Sequence, residues 1–381
     1  MIERILNFPF ENNKSFFLFG PRGTGKTLWL KSKLSSCIYI DLLHSGVFND
    51  LEARPERLEN YIPKDFDDWV IIDEVQKIPQ LLNEVHRLIT NHSFKFILTG
   101  SSARSLKKLG SNLLAGRALT YRMYPLTCEE LGEKFSLLKS LEFGHLPAIY
   151  SDYKGLEQEY LDAYIKTYIK EEVQQEGLTR NMMAFSRFLE SASFSQGSVL
   201  NFAEIAREAA VERKVVESYF HILEDLLIAY RIPVFNKRAK RKLAAHPKFY
   251  FFDLGVFKTL RPMGPLDTPE EANGPALETL VLQEFMAINH YHALGYEIYY
   301  WRTANKLEVD LVLYGKKKII AIEITHSSRF KKDKTKGLKA FLKDYPQAEA
   351  YLFYTGSQRY FEDEIQVVPV QDALRSVKDF L

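Results

Sequence analysis

The segment Gly20-Pro21-Arg22-Gly23-Thr24-Gly25-Lys26-Thr27 has the spacing G-x-x-x-x-G-K-[ST]. Glycines so placed let a backbone loop wrap an anion, and the N–H groups of a following helix start point at it. The loop follows the apolar run SFFLFG (15–20) and opens a helical pattern at Leu28, Trp29 and Leu30. That context points to nucleotide phosphate binding, with Lys26 on the β- and γ-phosphates and Thr27 on Mg2+. Val70-Ile71-Ile72-Asp73-Glu74 supplies a second element. An apolar strand delivers Asp73 to a sheet edge, where it can hold Mg2+, and places Glu74 to orient or deprotonate an attacking water. In FKFILTGSS (94–102), Thr99 or Ser101 could sense the γ-phosphate or that water; a plain polar strand exit is the alternative. Arg117, in LLAGRA, is a candidate arginine finger, acting in this or a neighbouring subunit, with a structural ion pair as the alternative.

A second set of acids lies far downstream. Glu278 falls on the helical pattern PALETLVLQEF, Asp310 in the strand KLEVDLVL and Glu323 in the next strand, IIAIEIT. A helical Glu, a hairpin Asp and a Glu on the paired strand resemble the PD-(D/E)xK restriction-endonuclease-like core. That chemistry needs clustered carboxylates to hold Mg2+, which activates water and stabilises phosphate charge. Such a site carries Lys two residues after the last acid; here Thr325 stands there and supplies no cation. Lys306, Lys331 and Lys332 are candidate substitutes. The incomplete set favours a degenerate nuclease fold, kept for DNA contact or assembly, over an active one. Glu308 shares the strand face of Asp310 by the period of two, as an extra ligand or a solvated acid.

The formal net charge is only +2, but it is uneven. Residues 229–261 carry a local +8 and residues 329–343 a local +6, which leaves −12 for the remainder. Phe202, Ile205 and Ala206 suggest a short helix, a turn follows near 211–213, and Val215, Val216, Tyr219, Ile222, Leu223 and Leu226 suggest a longer one before the β-like AYRIPVF. Helix, turn, helix and strand is the order of a winged helix-turn-helix. The cations Lys237, Arg238, Lys240, Arg241 and Lys242 follow that strand, and such a cluster neutralises nucleic-acid phosphates. The second helix is otherwise acidic (Glu217, Glu224, Asp225), which favours backbone contact over base readout. His290 and His292 lack Cys partners at zinc spacing and read as a helix end.

These elements must be positioned by a chain of 381 residues, a length for two to four domains. Its 46% apolar and 26% charged content excludes a largely disordered chain. Two cysteines, Cys37 and Cys128, are too few for a disulfide scaffold and imply reduced thiols in the cytoplasm. No apolar run approaches the roughly 18–20 residues of a membrane span, and the N-terminus reads as the start of a domain rather than a signal peptide. Apolar runs at 15–20, 37–42, 69–74, 94–100 and 118–124, separated by helical patterns, indicate a parallel sheet. Tyr160, Tyr164 and Tyr168 recur at helical spacing as core, in a region from 126 to 195 that reads as helical. From 246 onward strands dominate, beginning with KFYFFDL.

GPRGTGKT, IIDEVQK, FILTGSS, LAGR and YRMYPLTCEEL together resemble AAA+-type P-loop ATPases, and more closely a prokaryotic ATPase family with a C-terminal domain of formerly unknown function. The resemblance spans almost the whole chain. It implies sheet order 5-1-4-3-2, then a helical region, a winged helix and a nuclease-like fold. The expected class is α/β, with a P-loop ATPase core at 1–125, a helical region at 126–195, a winged-helix-like domain at 196–245 and an α+β restriction-endonuclease-like domain at 246–381. The expected activity is ATP hydrolysis with Mg2+, coupled to DNA binding or remodelling, on branched or single-stranded DNA. An ATP-regulated metal-dependent nuclease and a nucleotide-switched regulatory module are the alternatives. A homo-oligomer is expected, because Arg117 could act between subunits.

Overall fold

The computed structural model describes residues 2–8, 10–102, 118–175, 179, 181–238, 246–264 and 268–381. The chain divides into two compact units, one built on Leu6–Tyr124 and one that takes in Pro125–Glu224 and Ile228–Leu381.

In the first unit the apolar runs form strands β1 (Ser15–Phe19), β2 (Ile38–Asp41), β3 (Trp69–Asp73), β4 (Lys95–Gly100) and β5 (Ala118–Arg122). Helices α1 (Lys26–Lys33), α2 (Ser45–Ala53) and α3 (Leu81–His92) intervene. All pairings are parallel, in the order β2-β3-β4-β1-β5, the order expected. Every residue of β1 and β3 is buried, as befits central strands covered on both faces. Phe17, Val70, Ile72, Phe96 and Leu98 share one core with Leu81, Leu82, Val85 and Leu88 of α3. The other face is aromatic: Phe8 stacks on Phe16 at 4.4 Å and meets Trp29 edge-on at 4.9 Å.

The second unit begins with short helices, among them Glu157–Ala163, a π-helical turn at Tyr164–Ile169 and Lys170–Gln175. Tyr164 is buried there, as the aromatic spacing predicted. Next come α4 (Met182–Ser193), β6 (Ser198–Val199), α5 (Phe202–Glu208), α6 (Arg213–Asp225), β7 (Ala229–Ile232) and β8 (Lys248–Phe251). The strands form an antiparallel sheet in the order β6-β8-β7. Phe220 of α6 packs between Phe188 of α4 (4.9 Å) and Phe249 of β8 (5.0 Å). The strand KFYFFDL therefore lies between β6 and β7 and pairs with both rather than opening the C-terminal sheet, so the expected boundary at 246 falls within one sheet.

The last sheet comprises β9 (Glu297–Arg302), β10 (Glu308–Tyr314), β11 (Ile319–Thr325), β12 (Ala348–Tyr354), β13 (Tyr360–Glu362) and β14 (Ile365–Pro369). Its order is β13-β14-β12-β11-β10-β9. The hairpins β9–β10 and β10–β11 are antiparallel, whereas β11–β12 and β12–β14 are parallel. Leu338 and Phe341 of α8 (Lys336–Asp344) pack on Trp301, Val309, Val312, Ala321 and Leu352. The long helix α7 (Pro269–Tyr291) buries Leu277, Leu280, Val281 and Phe285, with Phe285 6.1 Å from Phe353 of β12. Between Val309 and Val312, β10 holds one residue more than β9, a bulge. It sets Val309 and Val312 on the same core face and leaves Asp310 for the other.

Candidate functional site

The expected nucleotide site gathers at the C-terminal edge of the first sheet. Gly23 (φ 77°) and Gly25 (φ 90°) hold left-handed backbone, and Gly25 caps the N-terminus of α1. A Cβ at Gly20 would lie 2.4 Å from the Met123 carbonyl, so that position also needs glycine. Thr24 closes the loop by donating to Pro21 O (2.8 Å). Lys26 Nζ donates back to the loop carbonyls of Gly20 (2.7 Å) and Pro21 (3.2 Å), which holds the ammonium over the loop.

Asp73 is the hub. Thr27 Oγ1 donates to its Oδ2 at 2.8 Å, Tyr39 OH donates to the same oxygen, and Thr99 Oγ1 donates to Oδ1. Burial, reinforced by Asp73, pushes the Tyr39 hydroxyl far up, so it stays a donor. Glu74 follows at φ 59°, a left-handed conformation that turns the chain sharply off β3. Its carboxylate accepts from Gln76 Nε2 and, at 3.4 Å, from Ser101 Oγ, while Gln76 Nε2 also reaches Ser101 Oγ at 3.0 Å. Thr99 and Ser101 thus both join the acids, Thr99 on Asp73 and Ser101 on Glu74. Tyr39 and Gln76 belong to the same network and were not singled out from the sequence. Tyr39 lies two residues before Asp41, which pairs with Asp73 across β2 and β3, but no motif marks it. Arg117 lies outside the described residues.

The residues fit a nucleotide with Mg2+. The loop presents positive-φ glycines and a lysine, and the Thr27 hydroxyl and Asp73 carboxylate sit within one hydrogen bond of each other. Hard oxygen donors of this kind are what Mg2+ takes.

In the second unit, Glu278, Asp310 and Glu323 come together, as do Glu308 and an unexpected partner. Lys248 of β8, 1% exposed, puts Nζ 3.0 Å from Asp310 Oδ1, 3.4 Å from Glu278 Oε2 and 2.5 Å from Glu308 Oε1. Period-two alternation sends Lys248 and Tyr250 to one face, and Tyr250 OH donates to Glu278 Oε2 at 3.0 Å. Arg302 Nη1 lies 3.3 Å from Glu308 Oε2, and Ile324 N donates to Asp310 Oδ2 at 2.8 Å. Burial raises Glu278 to about 8, with Asp310 adding to it, and pushes Glu323 well up. Burial pulls the Lys248 ammonium down, but Glu278, Asp310 and Glu308 outweigh it and hold the group charged. The three lysines considered as substitutes for position 325 are not there. Lys306, Lys331 and Lys332 are exposed, and Lys332 pairs with Glu362 at 3.4 Å.

Of the basic run, Lys237 is engaged within the chain: it pairs with Glu297 and lies 4.0 Å from the Tyr314 ring centre. Arg238 adopts φ 54°, and Lys240, Arg241 and Lys242 lie outside the described residues. A further buried group, Cys128, His145 and Glu284, has its ligand atoms within 4.8 Å of one another. His145 Nδ1 faces the Leu126 carbonyl at 2.7 Å and Nε2 faces Ser140 Oγ at 2.7 Å. A carbonyl only accepts, so Nδ1 carries a proton and is not a metal ligand; the group is a hydrogen-bonded core cluster. Both cysteines are free thiols.

Comparison with known proteins places the first unit in a class. Residues 12–132 match a family described as an AAA domain, and this region is an AAA-type, P-loop ATPase-like domain. Residues 134–267 and 273–373 match two families described as domains of unknown function, DUF8612 and DUF4143. Among relatives, the chain is 26% identical over 313 residues to the uncharacterized protein Rv2008c of Mycobacterium tuberculosis, covering 80% of this chain and 69% of that one. It is 23% identical over 348 residues to the uncharacterized protein MJ1544 of Methanocaldococcus jannaschii, covering 84% and 76%. Among the described residues no helix is long and apolar enough to cross a membrane.

Proposed function

We propose that the chain is a Mg2+-dependent ATP hydrolase whose nucleotide cycle acts on DNA through its second unit. The convergence of Lys26, Thr27, Asp73, Glu74 and Thr99 on one sheet edge carries the hydrolase reading. Lys26 is the residue to exchange its loop carbonyls for the β- and γ-phosphates, a swap of neutral acceptors for charged ones. Thr27 and Asp73 are placed to hold Mg2+, which supplies charge neutralisation on the phosphates when bound. Glu74 takes the proton of the attacking water, and Gln76 and Ser101 hold its carboxylate in place. Thr99 Oγ1, between Asp73 and the Glu74 amide (3.4 Å), ties the metal acid to the base.

The DNA reading rests on the order of α4, β6, α5, α6, β7 and β8, which follows a winged helix, and on the cations from 237 to 242. The grouping of Glu278, Asp310 and Glu323 supports the likeness to a restriction-endonuclease-like core. An assembly in which Arg117 serves a neighbour, and a cytoplasmic location, complete the reading. The test is steady-state ATP turnover with and without linear and branched DNA, comparing wild type with Glu74→Gln. Turnover stimulated by DNA and lost in the variant supports the proposal. Turnover that depends on Glu74 but ignores DNA detaches the second unit from DNA and favours a regulatory module that binds protein. No ATP binding or turnover with Mg2+ overturns it.

A further inference from the structure

We propose that Lys248 is the resident cation of the acidic cluster in the second unit, standing where a divalent metal would have to sit, so that the cluster ties β8 to the C-terminal sheet and does not cut phosphodiesters. Three acidic side chains from two elements, Glu278 of α7 and Glu308 and Asp310 of β10, converge on a single ammonium at 2.5–3.4 Å. Those contacts are ammonium-to-carboxylate distances; Mg2+ draws oxygen ligands to about 2.0–2.1 Å. An ammonium has three N–H donors. Hydrogen bonds to Glu278 and Asp310 and the ion pair to Glu308 engage the ammonium here, where a phosphate would need it free. Lys248 is also 1% exposed, which removes it from the reach of a substrate.

The placement explains why this charge tolerates burial. Taking an ammonium out of water is costly unless close partners compensate it. Lys248 meets its partners because β8 starts at this residue and presents it on the same face as Tyr250, whose hydroxyl steadies Glu278. The bulge in β10 turns Asp310 to that side, and the Ile324 amide holds its other oxygen. The Tyr300 ring, 5.9 Å from Nζ, lies beside the ammonium. A metal ion and this ammonium need the same oxygens of Glu278 and Asp310. The inference is independent of the ATPase reading, because every residue in it lies outside the nucleotide site.

The test is titration of the nucleotide-free, full-length chain with Mn2+, read by the electron paramagnetic resonance of the free ion. Wild type and Asp310→Asn should bind Mn2+ alike. Lys248→Met should gain one Mn2+ per chain, at least tenfold tighter than any site in wild type, and Lys248→Met/Asp310→Asn should lose it. Circular dichroism checks that Lys248→Met is folded. If it is not, wild type against Asp310→Asn decides alone: equal binding supports the proposal. A wild-type Mn2+ site that Asp310→Asn removes overturns it, as does a folded Lys248→Met that gains nothing. Mn2+-dependent DNA cleavage by wild type that is lost in Asp310→Asn also overturns it.

Discussion

Replacing Glu74 by Gln should separate binding from hydrolysis, because its carboxylate is held by Gln76 and Ser101 whereas Lys26 and Thr27 bond to the loop carbonyls and Asp73. The residue sits at φ 59°, which Gln tolerates as well as Glu, so the backbone strain is unchanged. Gln76 Nε2 and Ser101 Oγ donate to the Glu74 carboxylate, and the amide oxygen of Gln accepts the same bonds. The fold should therefore move by about 1 kcal/mol at most, the net worth of one hydrogen bond. Lys26 donates to loop carbonyls and Thr27 to Asp73, so nucleotide affinity should stay within about twofold. What disappears, on the proposed assignment, is the base. A positioned general base contributes roughly 10²–10⁴-fold, or about 2.7–5.4 kcal/mol at ~1.36 kcal/mol per decade. The assay pairs steady-state phosphate release with equilibrium binding of a fluorescent ATP analogue. The expected result is turnover down at least about a hundredfold with binding and melting temperature retained. Turnover within about threefold of wild type refutes the base assignment and shifts the role to another group near Asp73.

Thr27→Ala removes a hydroxyl that donates to Asp73, and a hydrogen bond to a charged group is worth about 1.5–3 kcal/mol; the Mg2+ concentration for half-maximal turnover should rise at least about tenfold, checked by metal titration at fixed ATP. Gly20→Ala drives a Cβ to 2.4 Å from Met123 O, so it should lower stability by about 1–3 kcal/mol, read as a drop in urea midpoint, and weaken ATP binding with it. Glu278, raised from 4.5 to about 8 by burial and then by Asp310, keeps a proton in the folded chain that the unfolded chain releases. Stability should therefore fall as pH rises from 4.5 to about 8, and Glu278→Gln should flatten that slope; equal slopes in both proteins refute the assignment.

The first unit was legible because its physics is local. Strands covered on both faces read as unbroken apolar runs, and all five expected runs became strands, with ends within two residues. The glycine loop carries its chemistry in eight consecutive residues. Asp73 and Glu74 are marked by the strand that delivers them. Tyr39 and Gln76 were not legible, since a strand tyrosine and a turn glutamine look like any others until register brings them to Asp73 and Glu74. The second unit hid more. Lys248 lies 62 residues from Asp310 in sequence, and its strand reads equally well as part of either neighbouring sheet. The candidates Lys306, Lys331 and Lys332 precede β10 or follow β11, whereas Lys248 arrives from a different sheet. The bulge that aims Asp310 left no pattern either, as Val309, Leu311, Val312 and Leu313 are apolar on both sides of it.

Two buried aspartates end β-strands or bulges with similar exposure, 5% for Asp73 and 6% for Asp310, and their partners assign them opposite fates. Asp73 accepts from three neutral hydroxyls, those of Thr27, Tyr39 and Thr99. Hydroxyls orient a carboxylate without cancelling its charge, and a hydroxyl that donates to the acid can turn and offer its own lone pair to a cation. Such a site is prepared for a divalent ion. Asp310 instead faces an ammonium shared with two further acids. Lysine has no lone pair to offer while charged, and its neighbours keep it charged. A metal could enter only by expelling a side chain that is anchored in the middle of a sheet. Charge-neutral support around one acid and charged support around the other is thus a physical distinction between a site arranged to accept a divalent ion and a joint that keeps its own cation.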